Sequence, residues 1–193
     1  MDRRTALGCL LLWPAASPRA APVVLEGRRF EDRIELYGEP LLLNGTGLRA
    51  VAWIKGYAAG LYLTRRADSA QAVVAAPGPK RVRLQMLLDV SAAEFVKAFE
   101  RGVHRNAPAA QHALLRERMD RFEALIRGVG KARKGDVYDL DYDPARGMVL
   151  GVNGTLRGDP VPGADLYGAL LLAFVGDHPF DERLRAGLLG RGS

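Results

Sequence analysis

The 193-residue chain is 48% hydrophobic and 26% charged, as expected for a globular protein of one domain that can bury a core. Its formal charge of +6 comes mostly from arginines that are scattered along the sequence. There is no zinc-ligand spacing, no aromatic RNA-binding motif and no clustered basic helix, so the sequence argues against nucleic-acid binding. Charges and glycines interrupt the most apolar stretch, residues 44–63, which argues against a membrane span in the mature chain.

The first twenty residues have the layout of a secretory signal peptide. Arg3 and Arg4 precede an apolar segment, residues 5–13, which is followed by small residues and prolines. We therefore predict an approximate signal peptide over residues 1–20, one domain over residues 21–193, and a periplasmic or secreted protein. The alternatives are the twin-arginine route, which the paired arginines weakly favour, and an uncleaved N-terminal anchor. Cys9 is the only cysteine and lies in this segment, so the mature chain is expected to have no thiol or disulfide.

Strand patterns dominate the sequence up to residue 89. Short strands are predicted at residues 33–36 and 41–43, followed by residues 44–63 as the longest strand, which carries Arg49 and Lys55. A short helix over residues 68–76 precedes a strand over residues 80–89 that has one apolar face.

Two amphipathic helices follow. Ser91 and Glu94 have the spacing of a capping box, and Asn106 and Pro108 are predicted to cap and open the second helix. Each helix has one apolar stripe, formed by Ala92, Phe95, Val96, Phe99 and Val103 in the first and by Leu115, Met119, Phe122 and Ile126 in the second. These stripes are predicted to face the core.

The last third of the chain predicts an antiparallel meander and two helices. Strands are predicted over residues 137–142 and 148–152, with a tight turn at Asn153-Gly154. The alternating acids Asp139, Asp141 and Asp143 are interpreted as the solvated face of a strand. A calcium-binding loop is not predicted, because Leu150 stands where its last ligand, a glutamate, would be needed. A buried helix over residues 164–175 ends at Gly176, and a last helix from about Phe180 carries Leu184, Leu188 and Leu189 inward.

The usual catalytic constellations are absent from the sequence. Its three histidines do not have a metal-binding spacing and are predicted to be exposed. No serine lies in a nucleophile elbow and no glycine-rich phosphate loop follows a strand. No cofactor and no metal are therefore predicted.

Three blocks resemble the landmark segments of the chalcone isomerase-like family, in its bacterial secreted branch. They are "LLLNGTGLRAVAWIKGYAAGLYL", "KRVRLQMLLDVSAAEFVKAF" and "VNGTLRGDPVPGADLYGALLLAFVGDHPFDERLRAGLLG", in that order. The resemblance covers roughly residues 30–190. It implies an α+β fold, an open-faced β-sandwich in which a large antiparallel sheet is backed by α-helices and a ligand cleft lies between the layers. The segment-by-segment pattern gives the same inventory of helices and strands.

The resemblance also implies site residues. Arg49 is similar in position to the arginine that orients the substrate in plant chalcone isomerases. Phe95 and Gly102 stand where those enzymes use a tyrosine and an asparagine, and Tyr57 and Tyr167 stand where they place hydroxyls in the cleft. Non-catalytic members bind fatty acids through an arginine and a tyrosine, which Arg49 and Tyr57 resemble.

Binding is therefore favoured over catalysis. The leading hypothesis is a single-domain protein that binds a small apolar carboxylate, such as a fatty acid, through Arg49, Tyr57, Phe95 and Tyr167. The alternative is an isomerase or intramolecular lyase that uses Arg49 on a chalcone-like or polyphenol-like substrate. A third possibility is that Arg49 pairs with an internal acid such as Asp165 and binds nothing. The sequence does not determine the oligomeric state.

Geometry sets a condition on the Arg49 and Tyr57 pair. In a straight strand, eight residues would separate the two by about 26 Å, too far to hold one carboxylate. We therefore expect a bend, at Gly56 or at a bulge within residues 53–55, and room for a ligand beside the small residues Ala58, Ala59 and Gly60. Lys55 is expected to be a strand-edge charge whose amine reaches water.

Overall fold

A computed structural model of the chain describes residues 21–192. The predicted signal peptide, with Cys9, lies outside these residues. The strands are β1 (Val23–Leu25), β2 (Arg28–Phe30), β3 (Arg33–Leu36), β4 (Glu39–Val51), β5 (Ile54–Leu63), β6 (Lys80–Met86), β7 (Val137–Asp143), β8 (Gly147–Val152) and β9 (Thr155–Leu156). The helices are α1 (Ala70–Ala75), α2 (Ala92–Asn106), α3 (Ala109–Val129), α4 (Ala164–Val175) and α5 (Glu182–Leu188).

Strands β3 to β9 form one antiparallel sheet of seven strands, arranged in chain order. The inner face of this sheet packs against the helices. The core between them includes Leu61, Leu84 and Leu140 from the sheet and Phe99 and Leu170 from the helices. The predicted α+β arrangement of a large antiparallel sheet backed by helices is confirmed. None of the helices in the part of the chain that the structure describes is long and apolar enough to cross a membrane.

Local sequence signals position the helices as predicted. The Ser91 hydroxyl accepts a hydrogen bond from the backbone N–H of Glu94 at 3.2 Å, and the Glu94 carboxylate accepts one from the Ser91 N–H at 3.1 Å, which completes the capping box. Helix α4 is buried on nearly every side and ends at Gly176. The apolar stripe of α3 is buried at Leu115, Met119, Phe122 and Ile126.

The start of α3 differs from the prediction. Pro108 occupies the N-cap position, and Asn106 is instead the last residue of α2. The Asn106 amide donates to the carbonyls of Gly102 and His178, both at 2.9 Å. It therefore ties the end of α2 to the loop after α4.

The longest predicted strand, residues 44–63, is in fact two strands. β4 and β5 pair as a hairpin that turns at Ala52 and Trp53, and Ala52 has a positive φ of 52°. The sequence prediction of one strand was wrong because Ala-Trp is not among the residue pairs that mark tight hairpin turns. Lys55 lies near the tip and pairs with Glu26 at 2.7 Å, with half of its side chain exposed.

The small residues of β5 do not all face the ligand cleft. Ala58 and Gly60 point to the outer face of the sheet, where Phe30 of β2 covers them. A Cβ at Gly60 would lie 2.6 Å from the Phe30 ring, so this glycine makes room for the β1–β2 hairpin and not for a ligand. The expected roles of Ala58 and Gly60 in the cleft were wrong.

The outer face of β6 and β7 is covered and charged. Asp139, Asp141 and Asp143 are 6%, 1% and 8% exposed, so their interpretation as a solvated face was wrong. Arg83 contacts Asp139 at 2.7 and 2.8 Å, and Arg81 contacts Asp141 through two bonds of 2.6 Å. Alternation correctly predicted which side these residues face, but the sequence did not show that another part of the chain covers that side.

Helix α5 lies directly on β4, where Gly45 and Gly47 leave no side chain in the way. A Cβ at Gly45 would lie 2.1 Å from the carbonyl oxygen of Gly187. Asn44 is the extra residue of a bulge in β4, between Leu43 and Gly45, which are both paired with β5. Its side-chain amide nitrogen donates to the carbonyls of Ala67 and Leu188, both at 2.8 Å. These contacts fix α5 beside the end of β4 that carries Arg49.

Candidate functional site

A cavity of about 330 Å³ lies between the inner face of the sheet and helices α2 and α4. Its walls are mostly apolar, with Leu84, Met86 and Leu140 from the sheet and Phe99, Leu170 and Phe174 from the helices. Exposed polar side chains, Glu94, Arg101, Arg105 and His178, lie at its rim. The size and the apolar lining are those of a small-molecule site.

Arg49 and Tyr57 meet at one end of this cavity. They are directly opposite each other in the β4–β5 register, although eight residues separate them along the chain. Between the pairs Arg49/Tyr57 and Ala50/Lys55 the register shifts, so Gly56 is the extra residue of a bulge. The expected irregularity therefore lies at Gly56. Arg49 and Tyr57 come together because the chain turns back in a hairpin, and not because a single strand bends.

The Arg49 guanidinium has few partners. Nη1 donates to the carbonyl of Ala50 at 3.2 Å and lies 3.5 Å from Oδ2 of Asp181, and the side chain is 30% exposed. Asp181 is held by its other oxygen, which caps α5 by accepting from the backbone N–H groups of Arg183 and Leu184. The predicted alternative partner, Asp165, pairs with Arg118 instead. Four of the five N–H donors of Arg49 make no hydrogen bond within residues 21–192.

The Tyr57 hydroxyl is also available. It makes no hydrogen bond to another of the described residues, and it lines the cavity beside Arg49. Burial raises the pKa of Tyr57 above its usual value, and this effect outweighs the opposing influence of the Arg49 charge. The phenol therefore keeps its proton at neutral pH and can donate a hydrogen bond to an anion.

Phe95 and Gly102, which were predicted from the resemblance, line the same cavity from α2. The Phe95 ring lies 5.5 Å from that of Tyr138, and a Cβ at Gly102 would lie 2.6 Å from the ring of Phe180. Neither residue offers a hydroxyl or an amide side chain. Gly102 instead allows Phe180 to close the wall, a contact between distant segments that no local sequence pattern reveals.

Tyr167 lies apart from Arg49 and Tyr57. It is 2% exposed, its hydroxyl donates to the carbonyl of Leu140 at 3.0 Å, and its ring stacks on Tyr142 at 5.3 Å. It lines a different cavity, between α4 and the start of β6. The structure thus brings together three of the four predicted ligand-binding residues, Arg49, Tyr57 and Phe95.

The polar groups do not form a metal site or an acid–base pair. No group of three or more histidine, aspartate or glutamate side chains within residues 21–192 could hold a metal ion. Glu94 at the rim is engaged in its capping box with Ser91. The ring centroids of His104 on α2 and His112 on α3 are 4.5 Å apart. His104 is exposed as predicted, whereas His112 is half-buried.

Comparison with known proteins decides the family. The sequence profile described as chalcone isomerase-like matches residues 22–190. The chain belongs to the chalcone isomerase-like family. No match is found among curated proteins. A crystal structure of a fatty-acid binding protein from Arabidopsis thaliana has a similar fold, with a TM-score of 0.65 and 19% sequence identity, covering 88% of this chain and 96% of that one. This member of the chalcone isomerase-like family thus keeps the family fold, with the Arg49 cavity between sheet and helices.

Proposed function

We propose that the protein binds a fatty acid or a similar apolar carboxylate in the Arg49 cavity, without catalysing a reaction on it. One observation carries the proposal: a guanidinium with unused N–H donors and a protonated tyrosine face each other at one end of a cavity with apolar walls. A carboxylate at that end would accept charge-assisted hydrogen bonds from Arg49 and one from Tyr57. The pairing would relieve the desolvation cost of both charges.

The volume of the cavity limits the ligand. At about 30 Å³ for a water-sized or methylene-sized group, a cavity of about 330 Å³ holds about 11 such groups. This volume favours a medium-chain acid over a long-chain one. The family likeness supports the same class of ligand, since the similar Arabidopsis structure is described as a fatty-acid binding protein.

Catalysis has less support from the geometry. The raised pKa of Tyr57 makes the phenol a poor general base at neutral pH. Phe95 and Gly102 supply no polar group to a reacting atom, and the glutamate at the rim is held in a helix cap. An isomerase would therefore have to rely on Arg49 and on the Tyr57 hydroxyl as a hydrogen-bond donor.

The proposal includes a location outside the cytoplasm, in the periplasm of a bacterium, and membership of the secreted branch of the family. Its support is the arrangement of residues 1–20, in which two arginines precede an apolar segment and then prolines and small residues.

Calorimetric titration with dodecanoate, compared with methyl dodecanoate, tests the binding mode. Replacing Arg49 with methionine removes the charged donors but keeps a long side chain, so we expect the affinity for dodecanoate to fall about 10- to 100-fold. The affinity for the uncharged ester should change by less than about threefold. Arg116→Met, at an exposed arginine of α3, is the matched control and should leave both affinities unchanged.

Mass spectrometry of the purified protein gives a second measurement. An apolar acid should copurify with the native protein and be released by organic extraction, and it should be lost in Arg49→Met. The proposal fails if no such acid copurifies and dodecanoate does not bind, or if the ester loses as much affinity as the acid. Turnover of a chalcone that depends on Arg49 would favour the isomerase instead.

A further inference from the structure

A second cavity, of about 320 Å³, lies at the other end of the space between sheet and helices. Lys80 at the start of β6, Tyr142 of β7, and Tyr167 and Leu171 of α4 line it, together with Pro77 of the preceding loop. Helix α4 passes over both cavities, with Leu170 and Phe174 facing the first and Tyr167 and Leu171 facing the second. The two cavities share no lining residue.

Lys80 is the only cation in this lining, and it is buried without a counter-ion. The residue is 5% exposed, its amine nitrogen still reaches solvent, and the amine makes no hydrogen bond or ion pair within residues 21–192. The amine nitrogen lies over the face of the Tyr142 ring, 4.9 Å from the ring centroid, which is a cation–π contact. Burial lowers the pKa of Lys80, and no nearby charge offsets this effect.

The neighbouring acids cannot neutralise the amine, because they belong to the other face of the sheet. Lys80 and Tyr142 are opposite each other in the β6–β7 register and face inward, whereas Asp141 and Asp143 alternate to the outer side. Asp141 is bound by Arg81 and Asp143 by Arg146. An ammonium with three unused donors in a largely buried residue needs water or an anion to accept from it, and an anion would also balance its charge.

We infer that this cavity is a second binding site, for a small monocarboxylate with an apolar or aromatic body. The carboxylate would accept from the Lys80 amine, and the body would lie against the stacked rings of Tyr142 and Tyr167 and against Leu171. A doubly charged phosphate fits less well, since Lys80 is the only cation in the lining and would balance only one of its charges. The Tyr167 hydroxyl already donates to Leu140, so the amine is the one charged contact.

The inference does not depend on the function proposed for the Arg49 cavity, and an experiment can separate the two sites. The probe is benzoate, an aromatic monocarboxylate, and benzamide is its uncharged counterpart. Titration of the ¹⁵N-labelled protein should give saturable amide shifts at Val74, Lys80, Tyr142 and Gly168. Lys80→Met should weaken this binding at least about tenfold, as expected for the loss of a charged hydrogen bond. Arg49→Met should leave the shifts at these four amides unchanged.

A second variant tests the site without altering Lys80. Gly168 of α4 lines the cavity, and a Cβ there would make an ordinary contact of 3.7 Å with Val74. Gly168→Leu should therefore fill the cavity and abolish the benzoate shifts while the amine remains. The inference is overturned if benzoate gives no saturable shift at these amides, if benzamide binds equally well, if both variants bind like the native protein, or if the shifts disappear only in Arg49→Met.

Discussion

The two faces of the seven-stranded sheet hold their cations in different ways. On the outer face, Arg81 and Arg83 each make a two-point contact of 2.6 to 2.8 Å with a buried aspartate. On the inner face, Arg49 has one hydrogen bond and a carboxylate at 3.5 Å, and Lys80 has no acceptor among the described residues. Both inner cations line a cavity. A fully paired cation thus serves the folded structure, whereas an incompletely paired cation beside a cavity is where we propose that an anion binds.

Removing one partner on the outer face should have the largest effect on stability. Asp141 is 1% exposed and is the two-point acceptor of Arg81, so Asp141→Ala leaves a guanidinium in a side chain only 15% exposed with just the longer 3.4 Å contact to Asp139. Burial raises the pKa of Asp141, and the hydrogen bond and the charge of Arg81 oppose that shift. We expect the free energy of unfolding to fall by about 3–5 kcal/mol, measured by urea denaturation.

The control for this prediction is an exposed ion pair. Glu117 and Arg121 lie one turn apart on α3, with side chains 78% and 57% exposed. Glu117→Ala should change the free energy of unfolding by less than about 0.5 kcal/mol. If Asp141→Ala costs no more than this control, the outer face does not depend on its charge pairs and the contrast between the two faces fails.

The sequence predicted what local signals encode. The capping box at Ser91 and Glu94, the turn at Asn153-Gly154 and the apolar run of α4 each depend on residues close together in the chain, and the structure confirms them. Resemblance to the family supplied the overall layout, which no short stretch encodes. It also brought Arg49 and Tyr57 into one hypothesis.

Contacts between distant segments could not be predicted in the same way. Alternation places Asp139 and Asp141 on one side of β7, but only the three-dimensional register sets them opposite Arg83 and Arg81. Distant segments lie on that side, as shown by Arg29 of β2 beside Gln85 and by Tyr37 beside Arg146. The same holds for Lys80, the first residue of the strand predicted over residues 80–89. Its lack of a counter-ion depends on which distant side chains share the inner face with it.

The close contact of α5 with the inner face provides the second prediction. A Cβ at Gly47 would lie 2.5 Å from the carbonyl oxygen of Leu184, so Gly47→Ala must displace α5. We expect a loss of about 1–3 kcal/mol in the free energy of unfolding. Because Asp181 caps α5 and lies beside Arg49, the same variant should also change the affinity for dodecanoate.

Gly128→Ala is the matched control for that substitution. Gly128 lies in α3 with nothing within 4 Å of an added Cβ, so alanine should stabilise the protein by about 0.5–1 kcal/mol. Equal effects of the two glycine substitutions in thermal or urea unfolding would show that α5 does not depend on the glycines of β4.

Lys80 on the inner face should respond in the opposite direction to Asp141. Lys80→Met removes a buried charge that no described acid compensates, so the unliganded protein should gain about 1 kcal/mol in the free energy of unfolding at pH 7.

The gain should also depend on pH. Because burial lowers the pKa of Lys80 below its value of 10.5 in the unfolded chain, the unfolded state binds more protons between these two values. The native protein therefore recovers stability as the pH rises toward 10.5, and the advantage of Lys80→Met should shrink over that range. Urea unfolding of both proteins from pH 7 to pH 10 measures the difference, and a loss of stability in the variant would mean that the amine already has a partner that stabilises the fold.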